Sequence, residues 1–248
     1  MELGLADKIC VVTGSTAGIG AEVARQLGLE GATVVTCGRG GEGGGDLHVS
    51  ADLSLPGEPQ RVIALAIERF GRIDCLVNNV GWAEAHRFEE LSEEIWEHSW
   101  QLNVMSAVRA IQAAVPRMRE RRAGAIVNVS STAGKRPSAS LPEYSVTKAA
   151  MLSLSRLVAD LYARDGIRCN AVTPGPTGTE AWLLPGGLAD QQGERDEVLA
   201  RVGAARPIGR MAEPAEIAAV IVFLCSERAS YVTGAAWSAD GGSVPIII

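Results

Sequence analysis

The sequence predicts a doubly wound α/β fold, a three-layer α/β/α sandwich in which one parallel sheet lies between two layers of helices. Two observations predict it. Short apolar runs alternate with longer stretches of helical periodicity from end to end, an order that yields a parallel sheet covered on both faces. A glycine cluster, Gly14 to Gly20, separates the first strand-like run from the first helix-like one. No linker or internal repeat divides the chain, so residues 1–248 read as one domain. With 47% of its 248 residues hydrophobic, the chain has ample material for one buried core.

The elements follow in order. Ile9-Cys10-Val11-Val12 reads as a strand, and helical sequence follows over 19–29. Residues 32–36 and 47–50 are the second and third strands. Between them lies Gly38-Arg39-Gly40-Gly41-Glu42-Gly43-Gly44-Gly45. Each glycine costs a helix about 1 kcal/mol, so a flexible loop is expected where a crossover helix would normally stand. Val62, Ala66 and Phe70 repeat at helical spacing before a strand over 74–78. One long helix is expected from Trp96 to Arg121, then a strand over 124–129. A helix carrying Tyr144 and Lys148 runs to about Ala163, followed by a strand over 168–172. Glu213-Pro214 starts a last helix marked by Ile217, Val220, Ile221 and Leu224. The connection 176–206 is long and irregular, as binding loops and lids often are.

Composition narrows the function. Net charge is −6 and the basic residues are scattered, which argues against a nucleic-acid partner. The longest apolar run, 217–225, is too short to cross a bilayer. The N-terminus lacks the basic and long apolar regions of a signal peptide. Cys10, Cys37, Cys75 and Cys169 lie in or beside strand-like runs and read as small buried hydrophobes of a reducing compartment, so a cytoplasmic location is expected. His48, His86 and His98 have no metal-ligand spacing, and metal chemistry is not indicated.

Tyr144 and Lys148 stand four residues apart, so a helix presents both on one face. A tyrosine titrates near ~10, and an adjacent ammonium would favour the phenolate and lower that value. The glycine turn (Thr13-Gly14-Ser15-Thr16-Ala17-Gly18-Ile19-Gly20) permits a pyrophosphate to approach backbone N–H groups at a helix N-terminus. Asp52-Leu53-Ser54, Asn78-Asn79-Val80-Gly81, Ser130-Ser131 and Pro174-Gly175-Pro176-Thr177-Gly178-Thr179 all follow strands. Open parallel sheets bind ligands at those carboxyl ends. Asn103 lies within a helical run, where asparagine is mildly unfavourable.

Together these motifs resemble the short-chain dehydrogenase/reductase family over essentially the whole chain, with the 3-oxoacyl-carrier-protein reductases as the nearest general pattern. The resemblance implies a Rossmann-type fold and a nicotinamide-dependent oxidoreductase that interconverts a ketone or aldehyde and an alcohol. It implies a catalytic set of Asn103, Ser131, Tyr144 and Lys148. Tyr144 would be the acid–base, Ser131 would bond the carbonyl oxygen, and Lys148 would hold the ribose and lower the Tyr144 pKa. Asn103 would kink its helix and support a water leading from Lys148. The implied cofactor-binding residues are Gly14, Ser15, Thr16, Gly18, Ile19, Gly20, Asp52, Leu53, Asn79, Val80, Gly81, Pro174, Gly175, Thr177 and Thr179, with Tyr144 and Lys148. Val80 replaces the family's usual alanine.

At the end of the second strand, an acid would select an unphosphorylated ribose. Gly38 and Arg39 stand there instead, and a guanidinium can bind phosphate bidentately. NADP(H) is therefore favoured over NAD(H), with an adenine-stacked or merely exposed Arg39 as the other reading. Trp182, Leu183, Leu184 and Leu188 could form an apolar lid over an uncharged or partly apolar small carbonyl compound, or could pack on the sheet or another subunit. Trp82 and Ala133 are further candidate pocket residues. Arg122 fits a carrier-docking position, but Asp165 stands where a second basic residue would be needed. A non-catalytic cofactor sensor or scaffold is the alternative of another class, and the presence of both Tyr144 and Lys148 speaks against it. The apolar tail 245–248 ends in three isoleucines, which in water would forgo roughly 1.5–3 kcal/mol each. With the family resemblance, that tail and the helix over 217–225 lead us to expect a homotetramer with both at or near subunit contacts.

Overall fold

The computed structural model describes residues 2–40 and 43–245. In chain order its elements are β1 Ile9–Thr13, α1 Gly18–Leu29, β2 Thr33–Gly38, β3 Leu47–Ser50, α2 Glu58–Phe70, β4 Cys75–Asn78, α3 Glu93–Trp100, α4 Ser106–Arg121, β5 Gly124–Val129, α5 Thr132–Lys135, α6 Pro142–Tyr162, β6 Ile167–Pro174, α7 Glu180–Leu183, α8 Arg195–Ala204, α9 Pro214–Cys225 and β7 Ala236–Ala239. The strands form one sheet in the order β3-β2-β1-β4-β5-β6-β7, every pair parallel. The chain winds outward from β1 in one direction and from β4 in the other. Their adjoining carboxyl ends therefore form the switch point where such sheets bind ligands.

Side chains alternate across the sheet. Cys10 and Val12 of β1 face α1 and α9, packing with Val23, Leu27, Ile217 and Ile221. Val11 faces the other way, with Val62 of α2, Ile111 and Met118 of α4, and Val158 of α6. Burial on both faces explains why the strands read as continuous apolar runs rather than alternating ones. Each fully buried leucine or isoleucine contributes about 1.5–3 kcal/mol.

Two expectations change. The long helix over 96–121 is divided: α3 and α4 are joined by a π-helical turn, Gln101–Met105, which turns the Asn103 side chain inward. The sheet gains β7, an exposed edge strand of Ala-Trp-Ser-Ala that pairs with β6. Its lack of hydrophobic alternation explains why it left no signal.

The glycine segment after β2 forms a short connection. Parallel neighbours ordinarily need about a dozen connecting residues or more, yet β3 follows β2 after residues 39–46 alone. The returning chain lies against the sheet edge, where the Asp46 N–H donates to Val34 O at 2.8 Å and the Val34 N–H donates to Asp46 Oδ2 at 2.8 Å. A Cβ at Gly43 would stand 2.2 Å from Thr36 Oγ1, and one at Gly45 would stand 2.6 Å from Val34 O. At those two positions glycine permits close packing, and among the described residues the connection holds no helix, as expected. Gly41 and Glu42 lie outside the described residues, as do Ile246 to Ile248 of the tail.

Candidate active site

A cleft of about 900 Å³ opens along the carboxyl ends of the strands. At one end, α1 begins at Gly18 with an extended Ala17 before it, no side-chain cap and no acid in its first turn. Its leading N–H groups and positive dipole end therefore remain available to an anion. The glycines keep the turn bare. Gly14 and Gly18 have φ of 62° and 54°. A Cβ on Gly20 would lie 2.2 Å from Gly14 O and 2.4 Å from Asn79 Nδ2. This cradle fits a dinucleotide pyrophosphate.

Asn79 braces the turn by donating from Nδ2 to Thr13 O at 3.1 Å and Gly14 O at 2.9 Å. Thr13 Oγ1 receives the N–H groups of Asn79 and Val80 at 3.0 and 3.2 Å. Thr16, Ile19, Leu53, Val80, Gly81, Pro174, Gly175, Thr177 and Thr179 line the cleft, as the motifs imply. Ser15 does not line it. Its hydroxyl donates to Val12 O at 2.8 Å and accepts the Cys37 N–H at 2.9 Å, fastening the turn to β2. Gly20 likewise acts from behind the cleft wall.

Beyond the turn, a Cβ at Gly38 would meet Thr16 Cγ2 at 2.7 Å, so a side chain at the position that would carry a ribose-binding acid would require Thr16 to move. Arg39 and Asp52 line this end. The Asp52 carboxyl is held below its usual value by the Ser54 hydroxyl and N–H, with help from the Arg39 charge. Arg39 itself is exposed and forms no ion pair among the described residues.

At the other end, Ser131, Tyr144 and Lys148 line one wall. Ser131 caps α5 by accepting the Ala133 N–H at 3.1 Å. Its neighbour Ser130 donates to Lys148 O at 2.7 Å, so the first serine anchors α6 and the second faces Tyr144. Lys148 is buried and donates to Val129 O at 2.9 Å. Burial pushes its pKa down to about 8. Gly81 gives it room, since a Cβ there would lie 3.2 Å from Lys148 Nζ.

The expected lowering of the Tyr144 pKa by Lys148 is not found in this geometry. Burial raises the phenol above its usual value, and the Ser131 hydroxyl bond works in the lowering direction. Lys148 Nζ lies over the tyrosine ring, 5.5 Å from its centroid, and is directed to Val129 O.

Asn103 is buried but does not line the cleft. It grips the backbone of Trp82 from both sides, accepting its N–H at 2.7 Å and donating to its O at 3.0 Å. It also donates to Thr147 Oγ1 at 3.1 Å, between Tyr144 and Lys148 on α6.

Of the candidate substrate residues, Trp82, Ala133 and Trp182 line the cleft, with Leu188 beside them. Leu183 does not. It is 45% exposed, because α7 is a single turn that directs adjacent side chains about 100° apart. Its place in a lid is corrected accordingly, and Leu184 is exposed as well. The motifs did not reveal Arg136, Ser138, Ser140, Gln192 or Arg206, which also line the cleft. The location of the first three between Ser131 and Tyr144 was the one available signal.

Comparison with known proteins agrees with this geometry. The family model adh_short_C2, described as Enoyl-(Acyl carrier protein) reductase, matches residues 14–243. The chain belongs to the short-chain dehydrogenase/reductase family. It is 38% identical over 255 residues to "L-rhamnose 1-dehydrogenase (NAD(P)(+))" of Azotobacter vinelandii, covering 96% of this chain and 97% of that protein. It is 36% identical to "Uncharacterized oxidoreductase YvrD" of Bacillus subtilis, covering 98% and 99%. The structure of L-sorbose reductase from Gluconobacter frateurii, complexed with NADPH and L-sorbose, superposes with a TM-score of 0.92 at 35% identity over 100% of both chains. As a member of the short-chain dehydrogenase/reductase family, this chain is a nicotinamide-dependent oxidoreductase that interconverts carbonyl compounds and alcohols.

Proposed function

We propose that this enzyme is an NADP(H)-dependent reductase or dehydrogenase of a sugar or similarly hydroxylated carbonyl compound, with Tyr144 as its acid–base. The observation that carries the reading is one continuous cleft. Arg39 and a side-chain-free Gly38 lie at its cofactor end, and Ser131 and Tyr144 lie beside a wall rich in hydrogen-bonding groups at the other. Ser138, Ser140, Gln192, Arg136 and Arg206 provide donors and acceptors suited to substrate hydroxyls. The resemblance to an L-rhamnose dehydrogenase and an L-sorbose reductase supports the same class.

The cradle of Gly14, Thr16, Gly18 and Ile19 would hold the pyrophosphate, and Arg39 the ribose phosphate. When bound, the nicotinamide supplies or accepts the hydride. In reduction, the Tyr144 phenol gives its proton to the substrate oxygen while Ser131 donates a hydrogen bond to that oxygen. Lys148 would hold the nicotinamide ribose and add positive charge beside the phenolate as it forms. Asn103 keeps Trp82 and α6 in register.

A carrier-linked substrate is not favoured. Asp165, where a second basic residue would be needed, is paired with Arg119 at 2.8 Å, and Arg122 donates to Arg164 O at 2.8 Å. Assembly as a homotetramer fits the exposed Val146, Leu157 and Leu161 of α6 and the open β7 edge with Trp237. The apolar face of α9 packs on its own sheet, leaving Phe223, which meets Trp237 with ring centroids 5.6 Å apart, as its link to that edge. A cytoplasmic location accords with five free, buried cysteines, and among the described residues no helix is long and apolar enough to cross a membrane.

The test is a panel of free sugars, polyols, apolar ketones and carrier-linked oxoesters, assayed by nicotinamide absorbance with both cofactors. The reading expects turnover of hydroxylated substrates and a higher kcat/KM with NADPH than with NADH. Turnover confined to apolar or carrier-linked compounds would refute the substrate class, and a preference for NADH would refute the cofactor assignment.

A further inference from the structure

Glu143, the residue before Tyr144 in the first turn of α6, carries a buried carboxyl group without a hydrogen-bond partner among the described residues. A buried carboxylate is costly unless its charge is met. The helix dipole favours a negative charge at this end, but the carboxylate makes no bond to the leading N–H groups. The group facing it is His86, whose Nδ1 lies 3.4 Å from Glu143 Oε1 and is also without a bond partner. Neither residue lines the cleft.

His86 belongs to the stretch 79–87, which has no helix or strand and forms a wall of the substrate end. Its backbone N–H donates to Ser140 O at 3.1 Å, and its ring leans on Trp82 with centroids 6.0 Å apart. Trp82 is gripped in turn by Asn103. The wall is thus tied to the catalytic helix at two places, through Asn103 and through His86 with Glu143. The second tie adjoins Tyr144 and, at 3.4 Å, is about 0.5–0.7 Å longer than a charge-assisted hydrogen bond. Active-site bonds that are long without ligand often tighten in the reactive complex.

We propose that His86 and Glu143 are positioning residues for the reaction: the imidazole N–H closes on the Glu143 carboxylate when the cleft is filled, and this tie sets the Tyr144 phenol against the Trp82 wall. The inference rests on Tyr144 being the acid–base. No proton leaves the pair, which acts entirely through the two side chains it joins.

A double-mutant cycle tests it on the full-length enzyme, using a substrate that the wild type turns over. His86→Ala and Glu143→Ala should each lower kcat about tenfold while the KM for NADPH stays within about twofold, since displacement near the reacting atoms costs turnover. The double variant should be no slower than either single one, because each loss breaks the same tie. Glu143→Gln keeps an oxygen that can accept the imidazole N–H and should recover most of the activity, whereas Glu143→Leu, which fills similar space without an acceptor, should not. Unchanged kcat in His86→Ala, or a double variant whose loss is the product of the single losses, would overturn the proposal. Should Glu143→Ala fail to fold, His86→Ala and its combination with Glu143→Gln give the same decision: the tie requires the combination to match His86→Ala. Full turnover by Tyr144→Phe would instead refute the acid–base assignment, and the coupling in the cycle would still be read independently.

Discussion

The cofactor end of the cleft presents mainly backbone, whereas the substrate end presents side chains. Around Gly14 to Gly20 the chain approaches itself so closely that a single added Cβ meets a carbonyl at 2.2 Å. Thr13, Ser15 and Asn79 spend their side chains fastening that turn. Around Trp82, Trp182 and Arg206 the wall comes from the stretch 79–87 and the long connection after β6, with ties such as Asn103 to Trp82 and Ala85 N–H to Gln191 Oε1 at 2.8 Å. A surface made by backbone geometry tolerates almost no change, while one made by side chains on connections can be re-aimed without disturbing the sheet. One scaffold can therefore keep its cofactor while its substrate differs.

Lys148 stands where the two ends meet, and it gives the sharpest contrast between function and stability. Its folded pKa of about 8 lies below the unfolded value, so the unfolded chain binds the extra proton between the two. The burial penalty is fully present below pH 8 and fades as pH rises toward ~10.4. Lys148→Met should abolish measurable turnover yet stabilise the ligand-free protein at pH 7 by up to about 3 kcal/mol. Urea melts at pH 7 and pH 10 check it, with the gain shrinking at the higher pH. A destabilised variant at pH 7 would mean that Lys148 supports the fold.

Gly20→Ala asks whether the cofactor end is as unforgiving as its geometry states. A shift of about 1 Å in the turn should cost about 10²-fold in kcat/KM for NADPH, with far-UV circular dichroism unchanged. An active alanine variant would show that the turn can give way. Arg39→Ala probes an exposed side chain at that end that forms no ion pair among the described residues. Removing a charge-assisted bond should raise the KM for NADPH about tenfold and leave NADH almost unchanged. Equal changes for both cofactors would mean that Arg39 does not read the phosphate.

At the substrate end the smallest effects separate neighbours in sequence. Trp182→Ala should raise the substrate KM several-fold and Leu183→Ala should leave it unchanged, because only the first side chain lines the cleft. The reverse result would restore Leu183 to a lid.

The same division decides how much the sequence could show. Backbone-built features have fixed spacings, so the glycine turn, the strand-end motifs and the Tyr144–Lys148 pair are legible in the amino-acid sequence. Strands buried on both faces are legible as apolar runs, with β5 bounded as expected, and the half-buried edge strand β3 is bounded as expected as well. The π-helical turn at Asn103 is legible only through the family resemblance, which implies a kink there, because apolar periodicity continues through 101–105 and hides the extra residue. Glycine composition alone does not distinguish a flexible loop from one pressed against Thr36. The inward aim of Trp182 and outward aim of Leu183 depend on a single helical turn, whose phase no periodicity fixes. Arg136 and Arg206 reach the cleft through the folding of long connections, which leaves no local pattern.

The central claim is that Tyr144, in the wall it shares with Ser131 and Lys148, transfers the proton. Tyr144→Phe keeps the ring and removes the transferable proton, so the kcat of this variant with saturating NADPH and a wild-type substrate is the most direct test. The account predicts a fall of at least ~10²-fold with NADPH binding retained. A folded Tyr144→Phe enzyme that turns over at close to the wild-type rate would contradict it.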